Sequence, residues 1–183
     1  MKRFLRISLT LAGILFSAGA LAEKADADKP TNIEANQMSY DDLKQINTFI
    51  GNVVLTRGTL LMKADKVVVT TSPAGYQFAT LYGAPGAVAT FRQKRDGGPN
   101  LWVEGQAERI EYDAKTEVAK LFSHAKLKRL DGAKPIDEVE GEFISYDSSS
   151  EFFNVTNSAS GASTPGSGRI KVTIQPRTTA KGQ

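Results

Sequence analysis

A short pattern occurs four times in this chain of 183 residues, over residues 35–41, 64–69, 105–113 and 141–147. Each copy starts with a small and a polar residue and continues as a strand whose apolar side chains lie two positions apart. Three of the four copies end in Tyr-Asp. The copies start about 30 to 40 residues apart, which is the spacing of repeat architectures. Because so short a unit cannot bury its own apolar face, stacked units have to share one core. The repeat predicts an elongated, layered β structure, which suits a container or conduit better than an enzyme cleft.

The first 22 residues have the pattern of a secretory signal peptide. Basic residues precede a largely apolar stretch over residues 9–21, and the small residues that end at Ala22 are typical of a cleavage site. The apolar stretch is too short to span a bilayer. We therefore expect an exported protein that is cleaved after Ala22.

Charge and cysteine content exclude several classes of function. The signal peptide holds three of the 23 basic residues and no acidic residue, so the mature chain has 20 basic residues against 20 acidic ones. Nucleic-acid binding, which needs a basic excess, is therefore not supported. The chain has no cysteine, which excludes thiolate metal sites and cysteine nucleophiles and requires a core that is sufficient without disulfides.

The mature chain is predicted to form a single β domain over residues 31–175. Residues 23–30 are small and charged and predict a flexible lead-in, and residues 176–183 predict a disordered tail. The Ser- and Gly-rich residues 157–168 predict a flexible connector before a last alternating strand over residues 169–175.

Several strands and turns can be placed within this domain. Residues 47–55 and 60–69 are rich in β-branched and large apolar residues and flank a tight turn at 57–58. Residues 117–130 alternate between an apolar and a polar face, and the Asp-Gly pair at 131–132 has the chemistry of a turn.

The ordered series of motifs resembles the LptA-type periplasmic lipopolysaccharide transport proteins, the OstA-like group. The resemblance covers residues 30–176, except that one or two residues are inserted at 84–86 and the segment 157–168 is longer. The residues that carry it are Pro30–Glu34, Gly51–Val69, Tyr82–Pro85, Ala89–Phe91, Val103–Gly105 and Glu111–Tyr112.

This resemblance implies an all-β fold, an elongated twisted β-jellyroll of antiparallel strands that is open at both ends. It implies a non-enzymatic carrier in the periplasm, without a cofactor, that holds the acyl chains of lipopolysaccharide in an inner groove. Family members stack head to tail and link an inner-membrane ATP-driven extractor to an outer-membrane insertion complex.

Alternating strands can provide the apolar lining that such a carrier needs, because every second side chain points inward. Burying one methylene is worth ~0.8 kcal/mol, so a chain of about a dozen carbons is unfavourable in water by roughly 10 kcal/mol. Each predicted position also suits ordinary core packing, and Phe143 and its neighbour Ile144 cannot both face inward on a regular strand. The predicted lining residues are Ile33, Met38, Tyr40, Val53, Leu55, Val67, Val69, Phe91, Ile110, Tyr112, Leu121, Phe143 and Tyr146. The family motif gives priority to Ile33, Phe91 and Tyr112.

Catalytic and metal-binding constellations are weakly supported. His124, the only histidine, is adjacent to Ser123 on one strand, so the two side chains point in opposite directions and do not form a catalytic triad. The acidic pairs at 41–42 and 137–138 are interpreted as solvated turn residues. The sequence has no metal-ligand spacing and no phosphate-binding Gly-x-x-x-x-Gly-Lys loop, so energy for transport has to come from a partner.

Basic clusters and strand edges suggest further contacts. The clusters at 92–95 and 126–129 suit either lipid A phosphates or, more often, a solvated strand face. The first strand, over residues 31–40, and the last, over residues 169–175, are predicted to be unpaired edges. Pairing of such edges between copies does not close and gives open filaments.

Two other functions compete with the bridging carrier. One is a monomeric lipid chaperone that diffuses between membranes, which the sequence does not distinguish from a bridge. The other is a polysaccharide-active β-solenoid enzyme, which needs clustered acids and aromatic residues on one exposed face. The single Trp102 and the scattered acids do not supply such a face.

Overall fold

A computed structural model describes residue 26, residues 28–158, residues 160 and 162, and residues 168–176. The predicted signal peptide and most of the predicted tail lie outside the described residues. Within the described chain, no helix is long and apolar enough to span a bilayer. The strands are β1 Thr31–Glu34, β2 Gln37–Asp41, β3 Ile46–Arg57, β4 Leu60–Thr71, β5 Gln77–Tyr82, β6 Ala89–Lys94, β7 Leu101–Ala107, β8 Arg109–Asp113, β9 Val118–Asp131, β10 Lys134–Asp147, β11 Phe152–Thr156 and β12 Lys171–Ile174.

Four long strands, β3, β4, β9 and β10, change partners near their middle. Gly51 and Asn52 of β3 have positive φ, and the pairing of β3 with β4 shifts register between Ile50 and Val53. Ser123 and His124 of β9 also have positive φ, opposite a register shift in β10. These irregularities bend the sheet along one line, here termed the spine, formed by residues 51–52, 64–65, 123–124 and 141–142.

The spine divides the sheet into two antiparallel half-sheets. The first has the order β1-β3-β4-β6-β7-β9-β10-β12, and the second has the order β2-β3-β4-β5-β8-β9-β10-β11. Their interior faces pack on each other: the rings of Phe91 on β6 and Tyr146 on β10 stack with centroids 6.3 Å apart. The predicted all-β jellyroll is confirmed.

Among the described strands, those at both ends of the jellyroll are edges without a further partner, as predicted for the first and last strands. The predicted first strand, 31–40, is in fact two strands, because the chain crosses the spine at Asn36, whose N–H donates to the Gly51 carbonyl at 3.0 Å. β1 and β2 are therefore edges of different half-sheets at one end, and β12 and β11 are the corresponding edges at the other.

The fourfold repeat is explained by the second half-sheet. Its copies provide β2, β8 and the second parts of β4 and β10, which are alternate strands of that half-sheet. In the Tyr-Asp copies the aspartate stabilises the following turn: Asp41, Asp113 and Asp147 accept backbone N–H groups at 3.1, 2.8 and 2.9 Å.

The turns after these aspartates lie opposite the spine, along a margin here termed the seam. The seam is formed by the turns at 57–60, 94–101 and 131–134 of the first half-sheet and at 41–46, 71–77, 113–118 and 147–152 of the second.

Gly105 on β7 leaves room for a core aromatic ring. It lies directly opposite Phe91 on β6, and a Cβ at this position would overlap the Phe91 ring. The missing side chain lets the ring lie against the Gly105 backbone while its other side approaches Tyr146. Gly105 thus positions the aromatic contact that joins the two half-sheets.

We predict that Gly105→Ala lowers the free energy of unfolding by about 1–3 kcal/mol, because the added methyl group overpacks the core. In a Phe91→Ala background the same substitution should cost clearly less, since the overlapping ring is gone. Urea unfolding of the four proteins in this cycle measures both costs. An equal cost in both backgrounds would contradict the assigned contact.

Candidate lipid site: an apolar interior with a charged seam

Side chains from both half-sheets fill the middle of the interior. Met62, Leu81, Ile110, Leu121 and Ile144 are completely buried there. A cavity between the half-sheets near the seam has a volume of about 20 Å³, which is room for about one water molecule. The resemblance to the transport family predicts an apolar inner groove. The described interior is apolar, but its two faces pack directly against each other and do not enclose an open groove.

Most of the predicted lining residues lie on the interior face. Ile33 is partly buried and packs against the core. The residues that are buried in the core are Val53, Leu55, Val67, Val69, Phe91, Ile110, Tyr112, Leu121 and Tyr146.

The interior face remains apolar where it reaches solvent at the two ends. Met38 lies opposite Phe49, which packs on the core, yet Met38 is 54% exposed and Tyr40 is 50% exposed because β2 is an edge. At the other end Val172 of β12 lies opposite the buried Val139 and is 51% exposed. The predicted lining residues do not include Val172, although its spacing from Ile170 and Ile174 follows the alternation of a strand.

Phe143 is the one predicted lining residue that faces away from the interior. Ile144 and Leu121 pair with each other inside the core, so their neighbours Phe143 and Phe122 point to the outer face. The rings of Phe143 and Phe122 make an edge contact with centroids 5.1 Å apart. Ile144 therefore takes the inward position, because the register shift next to Gly141 sets the phase of this strand.

Charged residues on the interior face meet across the seam. Arg57 donates through Nη2 to the Tyr112 hydroxyl at 2.8 Å, and the same nitrogen lies 3.8 Å from Oε1 of Glu117, within Coulombic range but too far for a hydrogen bond. Arg95 pairs with Glu151 of the second half-sheet. The seam is therefore closed by polar contacts between side chains, whereas the spine is continuous backbone.

Asp26 adds a further polar contact to the seam. It is buried and accepts hydrogen bonds from the Thr59 N–H at 2.7 Å, the Thr59 hydroxyl at 2.6 Å and Nε2 of Gln93 at 3.3 Å. A Cβ at Gly58 would overlap the Asp26 carboxylate, so glycine is required for this approach. Asp26 belongs to the predicted flexible lead-in, and composition alone gave no signal for this anchored position.

Burial changes the acidity of two seam groups. It raises the pKa of the Tyr112 hydroxyl to about 12, partly offset by the Arg57 charge. It also raises the pKa of Glu117 above its ordinary value, again against the attraction of Arg57. Both groups are thus less easily ionised than they are in water.

The basic clusters are largely neutralised within the fold. Lys126 pairs with Glu138 at 3.0 Å and with Glu140 at 2.6 Å on the outer face, and Lys128 pairs with Glu138 at 3.0 Å. Glu138 lies within β10 and not in the turn that was expected for residues 137–138. These pairs favour the interpretation of a solvated strand face, whereas Arg95 and Arg129 from the same clusters point inward.

His124 lies on the spine, away from the seam. Its Nδ1 is 2.8 Å from Oε1 of Glu108, and both side chains are well exposed. Among the described residues no group of three or more histidines or acids is arranged to hold a metal ion. His124 is therefore suited to serve as an outer-surface control position.

The fold and the site together define an open-ended β-jellyroll with an apolar interior face that extends from end to end. A family model described as LptA/(LptD N-terminal domain) LPS transport protein matches residues 32–152, and the chain belongs to this family.

Similar proteins agree with this assignment. The lipopolysaccharide export system protein LptA of Escherichia coli K12 is 37% identical over 144 residues, which are 78% of this chain and 74% of that protein. LptA of Haemophilus influenzae is 36% identical over 134 residues, which are 73% of this chain and 74% of that protein. The crystal structure of LptH, the LptA-homologous periplasmic component of the lipopolysaccharide transport device of Pseudomonas aeruginosa, shares the fold. Its TM-score is 0.71 at 23% identity, with 82% of this chain and 99% of that chain covered.

The raised pKa of Glu117 leads to a prediction about stability. A carboxyl whose pKa is raised by folding stabilises the fold fully below its unfolded pKa, and this contribution is lost as pH rises through the folded pKa. We therefore expect Glu117→Gln to gain stability relative to wild type as pH rises from below 4.5, the ordinary pKa. Urea unfolding over a pH series measures the difference.

Glu138→Gln serves as a control of opposite sign. Burial acts to raise the pKa of Glu138, but Lys126 and Lys128 outweigh it and lower the pKa. The ionised Glu138 carboxylate stabilises the fold above its unfolded pKa, and Glu138→Gln lacks this stabilisation. The variant should therefore lose stability relative to wild type as pH rises. The same pH trend for both variants would contradict the assigned environments.

Proposed function

We propose that this protein is a non-enzymatic carrier that holds the acyl chains of lipopolysaccharide between its two half-sheets and transports them through the periplasm. The observation that carries the proposal is the apolar interior face, which continues to Met38 and Tyr40 at one end and to Val172 at the other. Membership of the lipopolysaccharide transport family supports the same cargo. The pattern of residues 1–22 supports export to the periplasm.

For an acyl chain to bind, contacts between the two interior faces have to be exchanged for contacts with the lipid. The two interior faces cover each other, and an acyl chain that enters would replace those contacts with its own. A chain of about a dozen carbons gains roughly 10 kcal/mol by leaving water, which offsets part of the cost of separating the half-sheets. The seam is the margin where, in the described part of the chain, separation would break side-chain contacts and no strand pairing.

We predict that a photoreactive amino acid at Phe91 or Tyr112 forms adducts with lipopolysaccharide in intact cells. The same group at His124 should form none, because this position faces solvent on the spine. Adducts are detected by immunoblotting for the lipid. Equal labelling at His124 and Tyr112 would contradict binding in the interior.

A charge placed on the interior face should weaken binding. We expect Ile33→Asp to reduce affinity for purified lipopolysaccharide at least about tenfold, because the carboxylate is desolvated beside the apolar cargo. Asn32→Asp is the matched control: it lies on the same strand, is exposed and faces outward. An unchanged affinity of Ile33→Asp, with both variants folded by circular dichroism, would contradict the lining assignment.

We further propose that copies assemble head to tail. β1 and β2 at one end and β12 and β11 at the other are unpaired edges, and edge pairing between copies would join their interior faces into one conduit. Terminal edges would pair in the same way with an inner-membrane ATP-driven extractor and an outer-membrane insertion complex. A monomeric chaperone, in contrast, would leave these edges unpaired.

Ile174→Lys tests the assembly. Ile174 is 76% exposed on the edge strand β12, and an edge lysine opposes strand addition. We expect wild type to form concentration-dependent oligomers in sedimentation experiments and Ile174→Lys to remain largely monomeric. A wild-type protein that stays monomeric at high concentration would instead favour the diffusing chaperone.

A further inference from the structure

Two arginines with incompletely satisfied side chains lie buried on the interior face at the seam. Arg57 ends β3 and is 6% exposed, and Arg95 follows β6 and is 7% exposed. Arg57 continues the inward alternation of Val53 and Leu55. Arg95 does the same after Phe91 and Gln93, as the burial pattern of β6 shows. Arg57 and Arg95 are termed the seam arginines below.

Each seam arginine keeps an unused donor. Nε of Arg57 and Nε of Arg95 are buried and have no hydrogen-bond partner among the described residues, and Oε1 of Glu117 is in the same state. A buried guanidinium donor without an acceptor costs free energy, so each such group requires an explanation. Nε and a neighbouring Nη form the side of the guanidinium fork that binds carboxylates and phosphates in bidentate fashion.

The present acceptors of the seam arginines come from the opposite half-sheet. Arg57 contacts Tyr112 and faces Glu117, and Arg95 pairs with Glu151. These contacts are lost when the half-sheets separate, and the freed guanidinium groups then require new acceptors. Because both groups lie at the margin where a lipid would enter, an anionic headgroup is well placed to supply those acceptors.

We infer that Arg57 and Arg95 bind the phosphoryl groups of an amphiphilic lipid at the open seam while its acyl chains occupy the interior. The inference deepens the proposed carrier function and rests on it. A phosphate monoester carries a charge of about −1.5 to −2 and three acceptor oxygens, which suits the vacated fork of an arginine. β3 and β6 are separated by β4, so the two arginines are offset by two strand spacings across the sheet, about 10 Å, and Arg95 lies two residues further along the strand than the position level with Arg57. This spacing suits a lipid with two separated phosphoryl groups.

The internal carboxylates act as competitors for the same arginines. The Glu117 carboxylate lies within Coulombic range of the Arg57 guanidinium when the seam is closed. The headgroup would replace it as the cargo enters. The exchange conserves charge pairing, since each arginine has an anionic partner before and after loading. The 3.8 Å separation of Arg57 and Glu117 is too long for a hydrogen bond, so Glu117 is held weakly and can be displaced easily.

The test compares the purified protein's equilibrium binding of two probes, bis-phosphorylated lipid A and the same lipid A after removal of both phosphates. We expect wild type to bind the phosphorylated lipid at least about tenfold more tightly. This ratio of affinities corresponds to the free energy of one hydrogen bond to a charged group. Arg57→Gln and Arg95→Gln should each reduce this preference several-fold without weakening the binding of the dephosphorylated lipid, because each variant also removes a contact that closes the seam. Glu117→Gln should increase the preference, because it removes the competing charge.

Arg109→Gln is the matched control. Arg109 also has a buried Nε without a partner among the described residues, but it lies on the outer face over the Phe122 ring at 4.0 Å. This variant should keep the wild-type preference. If wild type binds both lipids equally, or if both seam variants keep the preference while folded, the headgroup inference is overturned and the carrier function stands. If wild type binds neither lipid, the carrier function fails as well.

Discussion

The mutual coverage of two apolar faces is the interaction on which the rest of this structure depends. Each half-sheet directs every second side chain inward, and neither face is stable in water alone. The two faces cover each other, with Phe91 stacked on Tyr146 at the centre. The same faces can be covered by a guest of the same chemistry. The closed core and the proposed lipid site would therefore be two states of one surface.

The two long margins of the jellyroll differ in a way that sets where it can open. At the spine the backbone of β3, β4, β9 and β10 passes from one half-sheet to the other. At the seam the contacts that join the half-sheets among the described residues are made by side chains, such as those of Arg57 and Arg95. Positive φ at Gly51 and His124 locates the bends in the spine. Separation at the seam costs polar contacts that an anionic lipid can replace, whereas separation at the spine would break the strands.

Alternation along the strands made most of the fold and interior predictable from sequence. It placed Val53, Leu55, Val67 and Leu121 correctly, because period two directly encodes the inward face. It failed at Phe143, where a register shift beside Gly141 reverses the phase expected from the neighbouring residues. The same alternation places Arg57 on the inward face, after Val53 and Leu55. Arg57 was not among the predicted lining residues because a charged side chain is normally expected at the surface. The buried position of Asp26 depends on a distant glycine turn, which no local pattern reveals.

The central claim is that cargo enters by separation of the half-sheets at the seam. Because the chain has no cysteine, spin labels can be placed selectively at Asn100→Cys and Lys115→Cys, which lie in seam turns of the first and second half-sheets. Double electron–electron resonance then measures the distance between them, with Asp65→Cys and His124→Cys as a spine pair. We predict that lipopolysaccharide lengthens the seam distance and leaves the spine distance unchanged. A seam distance that stays the same at saturating lipid would contradict the claim.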